Sequence, residues 1–378
     1  MSNPLRIVSI FGTRPEAVKM APVIKALEHH PAIESKVIVT GQHREMLDQV
    51  LDLFAIKPDL DLNLMRPNQD LADLTAGILT TLDPVLKEMQ PDWILVQGDT
   101  TTVMAASLLG YYNRIRVGHV EAGLRSGDRW QPFPEEINRR VASVVADLHL
   151  APTEHSRQNL LREGVADWRI KVTGNTVIDA LKEISARPAP IEITELLSEK
   201  GVGEGGRRLI LVTAHRRENF GQPIEDICAA LRTLAETYAD SVQLIYPVHL
   251  NPNIQEPVYR LLDKVENITL LPPLGYMQLV HLERNAYLVL TDSGGIQEEA
   301  TGLGIPTLVM RGATERPEGV EARVLKLVGT DRNTIVREAA RLLEDDKAYQ
   351  AMAQAANPFG DGHAAERIVQ AVLDFHEL

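Results

Sequence analysis

The sequence predicts an α/β protein of two domains, each a parallel sheet covered by helices on both faces. Three observations lead there. Apolar runs of strand length alternate with helix-length amphipathic segments along almost the whole chain, which is the pattern of successive β-α units. The alternation breaks once, across residues 183–208, and then restarts. The length of 378 residues also exceeds what one hydrophobic core ordinarily organises.

The elements follow in order. "RIVSIF" reads as a strand, then a helix from about Pro15 to His29. "SKVIVT" precedes the helical "HREMLDQVLDLF", "DWILVQ" precedes "TTVMAASLLGYY", and "DLHLAP" precedes "TEHSRQNLLREG". "RIRVGHV" instead leads into "HVEAGLRSGDRWQPFPEE", residues 119–136, which has neither helical nor strand periodicity. The tract "ARPAPIEITELLSEKGVGEGG" carries prolines and then glycines, so the interdomain connection is expected in or near it. Five further strands follow: "RLILVTAH", "SVQLIYPV", "NITLLPPL", "AYLVLTDSG" and "IPTLVM". The expected domains are residues 1–175 and 176–362, with a last helix at 363–378 packing back on the first.

Bulk properties narrow the function. The net charge of −13 argues against nucleic acid or an anionic membrane as partner, since both demand a basic surface. The single cysteine, Cys228, permits no disulfide within the chain and no cysteine metal cluster. The opening "MSNPLRIVSIFGTRPE" leads straight into a strand and does not read as a signal peptide, and no apolar run is long enough to span a bilayer. A cytoplasmic location is the expectation.

Ligands of open parallel sheets bind beyond the carboxyl ends of the strands, and the unusual residues cluster there. In "FGTRPEAVK", Gly12 permits a tight turn, Pro15 suits a first helical turn, and Arg14 and Lys19 bring positive charge. An anion at that helix N-terminus would also meet free N–H groups. In "TDSGGIQEEA", Ser293, Gly294 and Gly295 would open a helix and let a phosphate approach bare backbone. Glu299, further along that helix, could accept both hydroxyl hydrogens of a ribose. "TAHRRENFG" sets His215 beside Arg216 and Arg217, whose charge would lower the imidazole pKa. In "VQGDTTT", Asp99 is expected as a helix N-cap, which alone implies no chemistry.

The irregular stretch 119–136 places Glu121 at a strand end and Glu135 and Glu136 at a helix start. Carboxylates there either complement the helix dipole or, in a partly closed cleft between the domains, transfer protons. The stretch has no Asp-x-Asp and no dense His or Cys cluster, which disfavours a metal. The absence of a G-x-S-x-G elbow disfavours a serine hydrolase.

Taken together, "FGTRPEAVKMAPVI", "TGQHREMLDQVL", "VQGDTTT", "HVEAGLRSGDRWQPFPEEINRR", "TAHRRENFG", "SGGIQEEA" and "MRGATERPEGVEA" resemble the non-hydrolysing UDP-N-acetylglucosamine 2-epimerase family, in the same order over nearly the whole chain. The resemblance implies a GT-B type fold of two Rossmann-like domains, a homodimer, and interconversion of UDP-N-acetylglucosamine and UDP-N-acetylmannosamine for cell-surface polysaccharides. It implies elimination and re-addition of UDP through 2-acetamidoglucal, with no redox cofactor. The acid-base set then falls on Asp99, Glu121, Glu135 and His215, with the acid that serves each epimer left open. UDP contacts fall on Arg14, Lys19, Ser293, Gly294, Gly295, Glu299 and Arg316. A second, regulatory UDP-sugar site of some members falls on Gln42, Arg66, Glu136, Arg216 and His249. Glu45 stands where some regulated members carry glutamine, Arg323 and Val324 replace a usual Gly-Thr, and Gln97 replaces a common histidine. The competing expectations are a GT-B glycosyltransferase, a hydrolysing 2-epimerase, and a non-catalytic sugar-nucleotide sensor.

Overall fold

The computed structural model describes residues 4–41, 44–64 and 69–377, with the backbone alone for 44–46. The chain divides into two units, Met1–Ala180 with Phe359–Leu378, and Leu181–Pro358.

The first unit runs β1 (Leu5–Phe11), α1 (Arg14–His29), β2 (Ile33–Val39), α2 (Arg44–Phe54), β3 (Leu60–Asp61), α3 (Leu71–Met89), β4 (Trp93–Gln97), α4 (Thr101–Tyr112), β5 (Arg116–Val120), α5 (Glu135–Val145), β6 (Leu148–Ala151), α6 (Glu154–Arg162), β7 (Ile170–Val172) and α7 (Thr176–Ser185). All its strands are parallel, in the order β3-β2-β1-β4-β5-β6-β7. β4 is buried throughout, and β1 at every position but Arg6. Such strands read as unbroken apolar runs because helices cover both faces of the sheet.

The second unit contains α8 (Ile191–Glu199), β8 (Arg208–Thr213), α9 (Gln222–Thr237), β9 (Val242–Pro247), α10 (Pro252–Leu262), β10 (Ile268–Leu271), α11 (Tyr276–Arg284), β11 (Ala286–Thr291), α12 (Gly294–Gly302), β12 (Thr307–Val309), α13 (Pro317–Glu321), β13 (Leu325–Leu327), α14 (Arg332–Glu344) and α15 (Asp346–Ala353). Its sheet is again parallel, ordered β10-β9-β8-β11-β12-β13. Cys228 is buried in α9, where burial pushes its thiol up to about 12.

The chain passes between units inside α7, ahead of the proline-glycine tract. That tract is no bare connection. It contains α8, whose Ile193 and Leu197 are buried in the core of the second unit. Prolines before the helix and glycines after it hide the helix from sequence reading. The last helix, α16 (Ala364–His376), belongs to the first unit and packs on α1. Its Ile368 and Val372 are fully buried, each contributing about 1.5–3 kcal/mol. Phe375 meets Trp93 edge-on at 5.6 Å and stacks on Trp168 at 5.5 Å. Among the described residues, no helix is long and apolar enough to cross a membrane.

In each sheet the strand order reverses once, between β1 and β4 and between β8 and β11. Loops leaving the sheet on either side of such a point diverge and leave a crevice at the strands' carboxyl ends.

Candidate active site

In the first unit, the turn after β1 carries Gly12, Thr13 and Arg14. The expectation of free N–H groups there needs correction. The buried carboxylate of Glu16 already accepts from the N–H of Gly12 at 3.1 Å, the N–H of Thr13 at 2.8 Å and the Thr13 hydroxyl at 2.7 Å. An external anion would therefore meet side chains at this turn. Arg14 suits that role, being half-buried with no hydrogen-bond or ion-pair partner among the described residues. Lys19, one turn along, is buried and pairs with Glu121.

Glu121 follows β5 directly and has φ of 65°. A left-handed backbone costs a non-glycine residue roughly 1–2 kcal/mol, and such strain gathers where function demands a particular side-chain direction. Here it turns the carboxylate onto the Lys19 ammonium. Two residues on, Gly123 has φ of 93°, and a Cβ there would lie 2.3 Å from the Ser156 carbonyl oxygen. Only glycine fits, so the irregular stretch is pinned against α6 just past Glu121.

Asp99 is not the N-cap. Thr100 caps α4, its hydroxyl accepting the Val103 N–H at 3.3 Å. Both residue types cap helices well; the helix covers the expected "TTVMAASLLGYY", and only the capping residue differs. This leaves Asp99 free to bond Arg139 at 2.5 Å, while its backbone carbonyl accepts from Asn138 at 3.0 Å. On the preceding residue, the Gly98 carbonyl accepts from Nε2 of His119 at 2.7 Å. Burial holds His119 down at about 4, so that ring is a neutral donor.

Glu135 and Glu136 open α5 but differ. Glu136 is fully buried, accepting the Ser126 N–H at 3.0 Å and Nε of Arg140 at 3.0 Å, with Arg139 at 3.5 Å. The Ser126 bond ties the 121–134 loop to the start of α5. Glu135 is half-buried, and its Oε2 is buried with no hydrogen-bond partner. Of the expected regulatory contacts, Gln42 and Arg66 lie outside the described residues, as does the Glu45 side chain.

In the second unit, β8 and β11 run side by side to Thr213 and Thr291, whose hydroxyls bond at 2.6 Å. Asp292 follows and is fully buried. Its carboxylate accepts the N–H groups of His215 and Arg216 at 2.8 and 2.9 Å and the Asn219 amide at 2.9 Å. The His215 ring lies 3.6 Å from Asp292 and stacks on His249 at 5.6 Å. Its pKa is lowered, chiefly by burial and only then by Arg216 and His249, with Asp292 opposing. The expected cationic cause is thus secondary. Arg216 has a buried Nε with no partner.

Ser293 caps α12, which opens with Gly294 and Gly295 as expected. The Arg316 guanidinium lies over that end, 3.2 Å from where a Gly294 Cβ would sit. Glu298 holds it at 2.8 Å. The helix N-terminus and the cation therefore face the same place, which is the arrangement for a phosphate. Glu299 is buried on the same helix. Arg323 is exposed with φ of 62°, a conformation that glycine adopts without strain.

Sequence reading missed Glu16, Arg139 and Asp292. The first had a signal in Thr13-x-x-Glu16, the spacing of a capping box. Among the described residues, no group of three or more His, Cys, Asp or Glu could hold a metal ion.

The family model described as UDP-N-acetylglucosamine 2-epimerase matches residues 25–373. An Escherichia coli (strain K12) protein named UDP-N-acetylglucosamine 2-epimerase is 55% identical over 372 residues, covering 97% of this chain and 98% of its own. The Neisseria meningitidis UDP-GlcNAc 2-epimerase, solved with UDP-GlcNAc, superposes with a TM-score of 0.90 at 46% identity, covering 98% of this chain and 100% of its own. An S. aureus protein solved with UDP gives 0.89 at 45% identity, covering 99% and 97%. The fold is the two-domain GT-B type of these structures.

Proposed function

This chain belongs to the UDP-N-acetylglucosamine 2-epimerase family, and on that premise we propose that it interconverts UDP-N-acetylglucosamine and UDP-N-acetylmannosamine without net hydrolysis. The observation that carries this reading is the trio of carboxylates in the first unit: Glu121 paired with Lys19, Asp99 with Arg139, and Glu135 with an oxygen uncommitted.

The carbon 2 proton of the sugar is weakly acidic, so its removal needs a placed base. A carboxylate of this trio accepts it, and the carbon 1–oxygen bond breaks to release UDP and leave 2-acetamidoglucal. Charge then gathers on the β-phosphate, where a helix N-terminus and a cation lower the barrier. The α12 end with Arg316 has that chemistry, His215 supplies a hydrogen bond or charge, and Glu299 holds the ribose. UDP adds back as carbon 2 is reprotonated on the other face. The reading extends to a cytoplasmic homodimer, and to a second UDP-sugar engaging Glu136, Arg216 and His249.

Incubation with UDP-N-acetylglucosamine in heavy water, followed by proton NMR, tests the reaction. Deuterium at carbon 2 with UDP-N-acetylmannosamine appearing supports it. Free N-acetylmannosamine with stoichiometric UDP sinks it. Glu121→Gln and Glu135→Gln should each slow turnover by about 10²-fold or more while UDP still binds; near-normal turnover in both removes the trio from the mechanism.

A further inference from the structure

We propose that Glu16 is a positioning residue for this chemistry: its buried carboxylate fastens the turn after β1 to the turn after β4 and thereby fixes Asp99. The inference rests on the epimerase reading above and adds a residue to it.

The two carboxylate oxygens have different duties. Oε2 takes its three donors from its own turn, Gly12 and Thr13. Oε1 takes the hydroxyl hydrogen of Thr100 at 2.7 Å, from across the point where strand order reverses. The same Thr100 oxygen accepts the Val103 N–H. Its single hydrogen goes to Glu16 and a lone pair goes to α4, so Thr100 is held from both sides. Asp99 is the next residue back along the chain.

The second unit repeats the device. There Asp292, beyond β11, receives the N–H groups of the loop that follows β8, again across the reversal. In each unit one buried carboxylate clips together the two loops flanking the crevice. A capping box alone would need only the contacts within the turn.

The charged groups near this joint are Arg14 and Lys19 on α1, Glu121 paired with Lys19, and Asp99 paired with Arg139 beyond Thr100. Burial raises Glu16 to about 7 against its four hydrogen bonds, so the joint changes protonation near neutral pH. On protonation Oε1 becomes a donor, and Thr100 must turn its hydrogen elsewhere.

Glu16→Gln keeps the volume but offers only one acceptor oxygen. Its amide NH₂ must face either Thr100 or the three donors of the turn. We expect kcat for epimerisation to fall about tenfold or more with KM changed less than about twofold. The ionisation near pH 7 should vanish from the kcat profile, and Thr100→Val should reproduce the kcat loss. An unchanged pH profile in Glu16→Gln, whatever its kcat, overturns the proposal and leaves Glu16 a cap. If the wild-type protein does not epimerise, the functional reading fails by itself. The joint is then judged by hydrogen exchange at the Val103 N–H, whose acceptor is the Thr100 hydroxyl. Faster exchange in Glu16→Gln supports the joint, and unchanged exchange overturns it.

Discussion

His149 lies on β6, directly opposite His119 on β5, and both rings are fully buried. Neither nitrogen of His149 has a hydrogen-bond partner. Burial, with smaller repulsion from His119, Arg169 and Arg125, lowers its pKa from 6.5 to about 3. The sign follows from proton counting. Below pH 6.5 the unfolded chain binds a proton that the folded one refuses, so stability falls as the solution is acidified. At pH 5 the unfolded imidazole sits about 1.5 pH units below its midpoint, each unit worth about 1.36 kcal/mol, for a loss of about 2 kcal/mol. The figure hardly depends on the folded value, because that value lies well below pH 5. Glu16 acts oppositely: its raised carboxyl binds a proton in the folded state between 4.5 and 7, so it adds stability as pH falls. A single pH curve therefore mixes signs, and the comparison needed is wild type against His149→Leu. Trp93, Trp130 and Trp168 are the three tryptophans, and all lie in the first unit with His149. Urea unfolding followed by tryptophan fluorescence thus reports the relevant unit. The variant should gain about 2 kcal/mol on wild type between pH 8 and pH 5. A difference that stays constant over that range would refute a neutral buried imidazole.

Two further substitutions test packing. Gly123→Ala should cost the first unit about 2–4 kcal/mol, because the new Cβ meets the Ser156 carbonyl in a left-handed turn; a urea midpoint unchanged from wild type would contradict this. Glu283, on α11, is fully buried with neither oxygen bonded, and burial and Glu299 raise its pKa well above the ordinary value. Glu283→Met should stabilise the second unit by about 1–3 kcal/mol at pH 8. That gain should shrink toward pH 4, where the unfolded carboxyl also holds its proton; calorimetry showing a gain independent of pH would count against it.

The architecture was legible because strands buried on both faces leave unbroken apolar runs, as "RIVSIF" and "DWILVQ" do. The residues beyond their ends could be nominated one by one for the same reason. Partnerships were not legible. Asp99 and Thr100 both suit a cap, and only the start of α4 decides between them. Arg139 lies 40 positions after Asp99 and reads as an ordinary helical arginine until α5 is packed. The carboxylate of Glu16 drew no notice, although it takes the N–H groups of the turn that were expected to meet an external anion. Helix α8 was masked by flanking prolines and glycines, and α3, with Pro84 inside it, went unassigned.

The return of the chain to its starting unit has a consequence for biosynthesis. A ribosome working from the amino end finishes the whole of the second unit before it delivers α16. Until then the indole faces of Trp93 and Trp168 that Phe375 will cover stay bare, together with the surface awaiting Ile368 and Val372. The half of the molecule made first is therefore completed last, and a nascent chain stalled before Pro358 would present that apolar surface to chaperones.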